Sequence, residues 1–431
     1  MWLNPRMRRI AIIADDLTGA SDTGVQLARR GLHTIVALDP HQPASVPDCD
    51  VLVVDTDSRA LTGPEAYATV ARAVRKVMTA GYQPVYKKLD STLRGNIGAE
   101  LDAVMDEGGF ALAALAPAFP ATGRTTAGGQ HLLRGVPVAE TEAARDPRGG
   151  VRDSDLLRLL GGQSRRTAAL IALAIVRAGT DATHTAVESL HERGAAILVF
   201  DAETDEDLET IGAALACCPQ RVLWAGSAGL AAHLPDTLDL PATTRRSPAF
   251  ARVNRPILIV VGTASHITRA QVARLAQLPE VAIVAAEPAA LVSGRDTARL
   301  HAEVARVLTA GHNAVLTLST HPAAELLPAQ IADALGALAA SALGTGLPQG
   351  VILTGGDTAR AVCHHLGATG IRLLDELEPG VPVGTLAGAP PLLTVTKAGA
   401  FGTLDTLVDA LRAVQGIGAG RQPEAITGET E

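Results

Sequence analysis

Short apolar runs alternate with amphipathic segments along most of the chain. The first run, Ile10–Ala14, is continuously apolar, which is typical of a strand buried on both faces. Small or apolar residues then recur at helical spacing from Ala20 to Ala28. The other runs predicted as strands are 34–38, 51–54, 85–89, 111–116, 195–200, 222–225, 256–261, 351–353 and 392–395. This alternation predicts an α/β fold with mainly parallel sheets.

The alternation is interrupted in two places. Residues 117–153 show no clear periodicity and are rich in Gly, Pro and Arg, so we expect a long functional loop there. A second aperiodic stretch, from His233 to Pro256, is punctuated by prolines and is where we place the domain boundary. We therefore predict two α/β lobes with an active-site cleft between them. Their ranges are 1–240 for the N-terminal domain, 241–256 for a linker, 257–414 for the C-terminal domain and 415–431 for a disordered tail.

Composition narrows the class of protein. Apolar residues make up 47% of the 431 residues but aromatic residues only 2%, so Ala, Val, Leu and Ile must fill the cores. The net charge of -8 argues against holding a nucleic-acid backbone, which requires clustered positive charge. The run Ile10–Ala14 is too short for a membrane span or a signal peptide, and the four cysteines have no C-x-x-C spacing. We expect a cytoplasmic protein without a zinc site, since this cysteine usage is typical of a reducing compartment.

Polar clusters follow three of the predicted strands in the first half. They are Asp15-Asp16, the run D-T-D-S-R at 55–59 and the run D-S-T-L-R at 90–94. Because the carboxyl ends of parallel strands meet at one edge of a sheet, we expect these clusters and Arg124 on the long loop to line one crevice. Arginine binds carboxylates in a bidentate manner, while carboxylates and hydroxyls recognise a polyol, so the crevice suits a small hydroxylated anion. The alternative is that the aspartates only cap the helices that follow.

Three turns in the second half combine glycines with hydroxyl residues. They lie between a predicted strand and a helix at 262–268, between a strand and a helix at 354–358, and after the last strand at 396–403. Glycines let backbone N–H groups approach a phosphate, and a helix N-terminus favours its charge. Lys397, with Gly399 and Gly402, adds a point charge to such a site. A tight turn capped by Asp357 or Thr358 is the alternative. The spacing of these residues is not G-x-x-x-x-G-K-[ST], and G-x-G-x-x-G does not occur, so the sequence does not indicate a dinucleotide site.

Taken together, six motifs resemble those of the four-carbon acid sugar kinase family, which includes 3-oxo-tetronate, D-threonate and D-erythronate kinases. They are A-D-D-L-T-G-A at 14–20, D-T-D-S-R at 55–59, K-K-L-D-S-T-L-R-G-N at 87–96, P-A-F-P-A-T-G-R at 117–124, T-G-G-D-T at 354–358 and K-A-G-A-F-G at 397–402. The resemblance extends from about Arg9 to Leu411. It implies an N-terminal substrate-binding domain, a C-terminal nucleotide-binding domain and phosphorylation of the terminal hydroxyl of a four-carbon sugar acid by ATP.

The resemblance also assigns residues to the two ligands. The substrate contacts that it implies are Asp16, Arg59, Lys88, Asp90, Ser91 and Arg94, to which the residue pattern adds Arg124. The implied ATP contacts are Ser265, Gly355, Gly356, Asp357, Thr358 and Gly402, to which the pattern adds Lys397 and Gly399. Two departures from the family pattern are Thr263, where serine is common, and Gly149-Gly150, where a proline is commoner. The second departure lies in the long loop, whose shape bears on the substrate preference.

The chemistry of phosphoryl transfer agrees with these residues, since it depends mainly on positioning and charge neutralisation. We expect ATP and Mg²⁺ as cofactors, with no metal ligands from the protein, and either Asp16 or Asp90 as the carboxylate that orients or deprotonates the attacking hydroxyl. The expected partner is a small sugar acid, with no nucleic acid or membrane, and a homodimer is the oligomer to test. Rival interpretations are a sugar-acid isomerase or aldolase and a two-lobe binding protein without chemistry. ATP consumption that depends on an added sugar acid separates the three.

Overall fold

A computed structural model describes residues 9–40, 46–146, 149–237, 250, 253–254, 256–263, 265–319 and 326–416. Most of the predicted linker at 241–256 and all but the first two residues of the predicted tail at 415–431 therefore lie outside the described residues. Within the described part, no helix combines the length and apolar character needed to cross a membrane.

The described residues form eighteen strands, nine of which are buried along their whole length. In chain order they are β1 (Ile10–Ala14), β2 (Thr34–Ala37), β3 (Val51–Asp55), β4 (Gln83–Lys88), β5 (Leu112–Ala116), β6 (Arg124–Ala127), β7 (Gln130–Leu133), β8 (Val136–Pro137), β9 (Ala168–Ile171), β10 (Ile197–Phe200), β11 (Val222–Gly226), β12 (Ile257–Val261), β13 (Val281–Ala286), β14 (Asn313–Leu318), β15 (Gly350–Thr354), β16 (Gly370–Glu376), β17 (Pro382–Ala387) and β18 (Leu393–Lys397).

The same part of the chain forms fifteen α-helices, which cover the faces of the sheet. They are α1 (Leu17–Ala28), α2 (Gly63–Thr79), α3 (Ile97–Gly108), α4 (Leu156–Gln163), α5 (Leu173–Val176), α6 (Thr180–Glu192), α7 (Asp205–Ala216), α8 (Ala228–Ala231), α9 (Leu234–Thr237), α10 (His266–Leu275), α11 (Pro288–Val292), α12 (Thr297–Thr309), α13 (Pro328–Leu343), α14 (Gly356–His365) and α15 (Thr406–Gln415).

One sheet of fifteen strands runs through both halves of the protein, in the order β13-β14-β12-β15-β18-β17-β16-β2-β3-β1-β4-β11-β5-β10-β9. Within this sheet, the strands of the N-terminal half pair with one another in parallel, and so do β12, β13, β14, β15 and β18. The hairpin β16–β17 joins the halves, because β16 pairs antiparallel with β2 and β17 pairs antiparallel with β18. The predicted α/β class with mainly parallel strands is confirmed, but the two lobes share one continuous sheet.

Helix α1 is buried between the two halves. Eleven of its twelve residues are buried, and it packs against β16 as well as against its own sheet. A Cβ added at Gly24 would lie 2.7 Å from Leu373 Cδ1 on β16, so the two halves approach more closely than any side chain at this position allows. Side chains on the helix also bridge to Glu376, which accepts hydrogen bonds from Gln26 Nε2 at 3.2 Å and from Arg29 Nη1 at 3.0 Å. The orientation of α1 is therefore fixed by both halves.

The expectation of an irregular loop at 117–153 is wrong for much of its length. Strands β6, β7 and β8 form a small antiparallel sheet, followed by two short 3-10 helices at Val138–Glu140 and Glu142–Arg145. The strands are two to four residues long and Gly128 and Gly129 turn between the first two with positive φ, so no run is long enough to show a period of two.

Candidate active site

Three polar clusters meet at the carboxyl edge of the N-terminal sheet. Strands β3, β1 and β4 are neighbours in that order, and the clusters follow directly after each of them. Arg59 lies at the centre of the group. Its guanidinium contacts Asp15 Oδ2 at 2.7 Å, Asp16 Oδ1 at 2.8 Å and Asp90 Oδ1 at 3.3 Å. The structure thus brings together the residues that the sequence placed in one crevice, around a buried arginine.

The turn after β4 is organised by Asp90. Its Oδ2 accepts hydrogen bonds from Thr92 Oγ1 at 2.5 Å and Arg94 Nε at 2.7 Å, and its Oδ1 accepts one from Arg94 Nη2 at 2.7 Å. Leu93 adopts a φ of 63°, a left-handed conformation that is uncommon for a leucine and is held by these bonds. Arg94 also pairs with Asp146. A substrate carboxylate at Arg94 must therefore share the guanidinium with two carboxylates of the protein.

The loop that carries Asp146 continues to the glycine pair where the sequence departs from the family pattern. Gly149 has a φ of 100°, and a Cβ there would lie 3.4 Å from the carbonyl oxygen of Arg59. The glycine therefore allows this loop to pack directly on the backbone beside the polar clusters.

Both predicted catalytic aspartates are held as anions. Burial by itself raises the pKa of Asp16, but Arg59 and then Lys88 outweigh it and lower the pKa to about 2. For Asp90, burial is again opposed by Arg59 and Arg94, and its pKa is lowered well below the ordinary value. Carboxylates paired in this way bind cations and hydroxyl groups well, but they take up a proton only at acidic pH.

The two lysines at the end of β4 point to opposite sides, as the alternation of side chains along a strand requires. Lys88 lines the cleft and donates to its neighbour Leu89 O at 2.6 Å. Lys87 is fully buried behind the cleft and pairs with Glu100 at 2.8 Å, and Glu100 also accepts from Ser58 Oγ at 2.7 Å. This second pair supports the loop that carries Arg59.

Ser91 lines the cleft, and a buried histidine supports its backbone. His131 Nε2 donates to Ser91 O at 3.0 Å, and Nδ1 lies 3.0 Å from Thr126 Oγ1. Burial lowers the pKa of His131 to about 4, so the ring is neutral at pH 7. The small sheet β6–β8 therefore contributes to the position of the turn after β4.

Arg124, the first residue of β6, connects the N-terminal cleft to the C-terminal half. Its guanidinium carbon lies 4.3 Å from the centroid of the Phe401 ring, and Nη1 donates to Thr122 O at 2.8 Å. Nε is buried and has no hydrogen-bond partner among the described residues. Burial lowers the pKa of this arginine to about 10, while Asp90 and Asp22 oppose the effect. The side chain is thus a charged group available to an anion at the junction of the halves.

Residues from both halves enclose the resulting cleft. Its lining consists of Asp16, Thr18, Gly19, Asp22, Arg59, Lys88, Asp90, Ser91 and Arg94 from the first half, and Gly380, Ala398 and Phe401 from the second. The sequence prediction did not assign Thr18, Gly19, Asp22, Gly380, Ala398 or Phe401 to a ligand. A usable signal existed for one of them, since Asp22 follows Thr18 by four residues and therefore shares its face of α1.

The glycine turn after β15 lies directly against this cleft. Gly355 has a φ of 90° and precedes α14, whose first residue is Gly356. A Cβ added at Gly356 would lie 3.5 Å from Asp16 Oδ2 and 3.7 Å from Thr18 Oγ1. The N-terminus of a helix, with its unpaired N–H groups, is thus in contact with the substrate side of the protein.

The other two predicted nucleotide turns pack beside it, since β12, β15 and β18 are neighbours in the sheet. Glycines make these contacts possible, because a Cβ at Gly262 would clash with Thr358 Oγ1 and one at Gly399 would clash with Thr263 Oγ1. Thr358 is buried in the first turn of α14, and Asp357 is half-buried beside it. Gly402 has a φ of 90°, and a Cβ there would clash with Thr406 Oγ1.

Two buried hydroxyls in these turns are free to bind a ligand. Ser265 Oγ and Thr354 Oγ1 have no hydrogen-bond partner among the described residues. Buried polar atoms are almost always paired in folded proteins, so two unpaired hydroxyls at the carboxyl edge of the sheet suit a bound phosphate group. Together with the glycine turn at the start of α14, these hydroxyls fit the phosphates of a nucleotide.

The predicted role of Lys397 is to bring a positive charge to a phosphate, but its side chain lies in the protein interior. Its side chain is fully buried, and Nζ contacts Thr268 Oγ1 at 3.1 Å and the carbonyl oxygens of Ala398, Gly399 and Phe401 at 2.9, 3.2 and 3.1 Å. Burial lowers its pKa to about 7, with a smaller opposing effect from Glu378. The ammonium group holds the loop after β18, including the backbone of Phe401, and does not point into open space. Its contact with a phosphate therefore remains a prediction that this geometry does not favour.

Comparisons with known proteins give a consistent family. Residues 10–234 match the model of a sugar-binding N-terminal domain, and residues 258–407 match that of a nucleotide-binding C-terminal domain. The chain is 36% identical to a D-threonate kinase from Salmonella typhimurium over 94% of this chain and 98% of that protein. A D-erythronate kinase from Heliobacterium modesticaldum is 35% identical, over 94% of this chain and 97% of that protein. A 3-oxo-tetronate kinase from Methylobacterium radiotolerans is 33% identical, over 93% and 98% respectively.

A solved structure of another Salmonella typhimurium LT2 protein resembles the fold, with a TM-score of 0.79 at 26% identity over 94% of this chain and 99% of that one. Its description names a tRNA synthase, an activity unlike that of the kinases. The curated relatives are more similar in sequence over the same length, and they agree with one another.

Proposed function

The chain belongs to the four-carbon acid sugar kinase family, and on this premise we propose that it transfers the terminal phosphoryl group of ATP to the terminal hydroxyl of a four-carbon sugar acid such as D-threonate, D-erythronate or 3-oxo-tetronate. The observation that carries the proposal is the contact between the N-terminus of α14 at Gly356 and the side chain of Asp16. It makes a phosphate-binding turn and an anion-binding cleft contiguous across the two halves.

The composition of the cleft supports a hydroxylated anion as the acceptor. Arg59, Lys88 and Arg94 supply positive charge to the lining of the cleft, and Arg124 adds a further charge beside it, stacked on the cleft residue Phe401. The carboxylates of the cleft accept hydrogen bonds from hydroxyl groups but repel another anion. They therefore suit the hydroxyl groups along the carbon chain of the substrate and not its acid group. We assign the acid group to the arginine side of the cleft and the hydroxyls to the carboxylates.

The geometry of the C-terminal turns supports the assignment of ATP to the second half. The backbone N–H of Gly356 at the start of α14 and the hydroxyls of Ser265 and Thr354 would hold its phosphates, and ATP supplies the phosphoryl group. Mg²⁺ is proposed to enter on these phosphates, which is how this ion usually binds in kinases. In the described part of the chain, no group of three or more His, Cys, Asp or Glu side chains could hold a metal ion.

The domain assignment remains part of the proposal. We assign the sugar acid to residues 1–240 and ATP to 257–414, ranges that overlap the two family models closely. A homodimer remains a prediction.

The proposal is tested by ADP release from purified protein with ATP and Mg²⁺, screened over D-threonate, D-erythronate, L-threonate and their 2-oxo and 3-oxo relatives. We expect ADP release only with a sugar acid, and a new phosphate ester on the terminal carbon by ³¹P and ¹³C NMR. Conversion of a sugar acid without ATP consumption would indicate an isomerase or aldolase. Binding without any conversion would indicate a binding protein.

Replacing Arg94 with alanine is expected to raise KM for the sugar acid by roughly 10- to 100-fold, because a charge-assisted hydrogen bond contributes about 1.5–3 kcal/mol. KM for ATP should change little, since Arg94 belongs to the N-terminal turn. The matched control is Arg158→Ala, which removes a largely exposed arginine that pairs with Asp153 on the surface. An unchanged KM for the sugar acid in Arg94→Ala excludes this arginine from substrate binding.

A further inference from the structure

Asp22 is a buried carboxyl group in the cleft that the arrangement described so far does not use. It lies on α1 one turn after Thr18, on the helix face that borders Gly356. The residue is only 5% exposed, yet it lines the cleft. Its Oδ1 is buried and accepts no hydrogen bond from any described residue. A buried carboxylate oxygen without a donor is costly, so its presence at this position calls for a functional reason.

The two other carboxylates of the cleft are poorly suited to take a proton. Each oxygen of Asp16 already accepts two hydrogen bonds, from Gly19 N and Arg59 Nη2 at Oδ1 and from Thr18 Oγ1 and Arg59 Nη1 at Oδ2. Both oxygens of Asp90 are bonded to arginine. Protonating either group would break an ion pair with a buried guanidinium, so both are built to remain anions.

The surroundings of Asp22 differ from those of Asp16 and Asp90. The charged and titratable groups that act on it are Lys88 and Tyr86 from β4, Glu376 from β16, Arg124 from β6 and Asp16 at the start of its own helix. None of them forms a hydrogen bond with its Oδ1. Burial is the largest effect and Glu376 adds to it, while Lys88 opposes it, so the pKa of Asp22 is raised to about 7. A carboxylate of this kind can accept a proton near neutral pH.

We propose that Asp22 is the general base of the reaction, an inference that rests on the kinase function proposed above. Its carboxylate accepts the proton of the attacking hydroxyl while the hydroxyl oxygen forms a bond to the terminal phosphorus of ATP. The bond from this phosphorus to the bridging oxygen breaks at the same time, and ADP leaves with the electron pair. The proton on Asp22 passes to solvent after the products depart. Asp16 and Asp90 hold the substrate and the arginines in place.

The position of Asp22 agrees with this role. Thr18 and Asp22 share one face of α1, and Thr18 is in contact with the turn proposed to hold the phosphates. Lys88 lines the same cleft and acts electrostatically on both Asp16 and Asp22, so the cation is near both the carboxylate that binds and the one that accepts the proton. A hydroxyl of a sugar acid held at Asp16 and Lys88 therefore lies on the side of the cleft where Asp22 is found.

The test is Asp22→Asn, which keeps the shape of the side chain and removes its basicity. We expect kcat to fall by about a hundredfold or more, the usual contribution of a general base, with less than about a threefold change in KM for either substrate. The wild-type kcat should rise with pH and level off above about pH 7, whereas the remaining kcat of the variant should not follow that titration. Asp16→Asn should instead act mainly on KM for the sugar acid. Asp409→Asn, at an exposed position of α15, controls for the chemical change alone.

Thermal unfolding distinguishes a catalytic loss from a folding defect. The pKa of Asp22 is higher in the folded protein than in the unfolded chain, so its ionisation costs stability as the pH rises through about 7. Asp22→Asn should therefore have the same or a higher Tm than the wild type at pH 8, in spite of its low kcat. A variant with kcat within threefold of the wild type, or with the wild-type pH profile, overturns the assignment while leaving the kinase function intact. A wild type without sugar-acid-dependent ADP release overturns both.

Discussion

Replacing Gly356 with valine is expected to reduce kcat/KM for ATP by at least about a hundredfold, a loss of transition-state stabilisation of at least about 2.7 kcal/mol. A Cβ at this position would be in ordinary van der Waals contact with Asp16 Oδ2 and with the side chain of Thr18. The two γ-carbons of valine must then occupy the space between the N-terminus of α14 and the cleft. The proposed function places the transferred phosphoryl group in that space, beside the N-terminus of the helix.

The effect of Gly356→Val should be confined to the use of ATP. Gly356 does not have a positive φ, so the backbone itself accepts another residue without strain, and circular dichroism and sugar-acid binding should be preserved. Gly356→Ala should be intermediate, because its single methyl group fits. The control is Gly161→Val in α4, a helical glycine around which a new Cβ would meet no described atom within 4 Å. Normal ATP affinity in Gly356→Val would show that the glycine serves turn geometry alone.

Replacing Arg59 with leucine should have the largest effect on both activity and stability. Arg59 is the common partner of Asp15, Asp16 and Asp90, and its side chain is only 10% exposed. Its removal leaves buried carboxylates without their cation, which costs about 3–5 kcal/mol in comparable buried pairs. Sugar-acid-dependent ADP release should fall below detection, because the remaining carboxylates would repel an anionic substrate.

The pH dependence of the Tm of Arg59→Leu tests whether the lost stability comes from the lost charge pairing. In the wild type the pKa of Asp16 is about 2, below its ordinary value of 3.8. The ion pairs of Asp16 therefore stabilise the fold above pH 3.8, and this contribution is lost as the pH falls through about 2. Without Arg59 the pKa rises, and the charged group is destabilising at pH 7. The difference in Tm between wild type and variant should therefore be large at pH 7 and smaller at pH 3. An equal difference at both values would assign the loss to packing. Arg59→Lys, which keeps the charge but not the forked donors, should recover only part of the stability.

Much of the fold follows from local sequence pattern. Runs such as Ile10–Ala14 and Val51–Asp55 are apolar for most or all of their length because strands in a parallel sheet are covered on both faces. The polar residues that follow them must then lie at one edge of the sheet. For this reason the sequence pattern is sufficient to place Arg59 in the same crevice as Asp16 and Asp90. Strands β9, β13, β14, β16 and β17 were not predicted, since their apolar residues are mixed with polar or partly exposed ones.

The choice of base could not be made from the sequence. Asp16, Asp22 and Asp90 are all aspartates in similar sequence surroundings, so the sequence does not distinguish them. Their pKa values depend on residues that are distant along the chain. The pKa of Asp90 is lowered by Arg59, which is brought close only by the order of β3, β1 and β4. The pKa of Asp22 is raised by burial against the second half, where Glu376 adds to the effect. Charge interactions act through space, and only the packed structure fixes those distances.

The sequence alone determined the α/β class, the clusters at the carboxyl ends of the N-terminal strands, and the glycine turns of the second half, because each depends on residues close together in the chain. Tertiary structure decided the rest. The pairing of β2 with β16 makes one sheet of the two halves, although more than 300 residues separate Ile35 from its partner Arg372. That pairing, with α1 packed against β16, brings Gly356 to Asp16 and Phe401 to Arg124. Lys397 was expected to face a phosphate, but its buried ammonium donates to the carbonyl groups of its own loop and contacts the hydroxyl of Thr268.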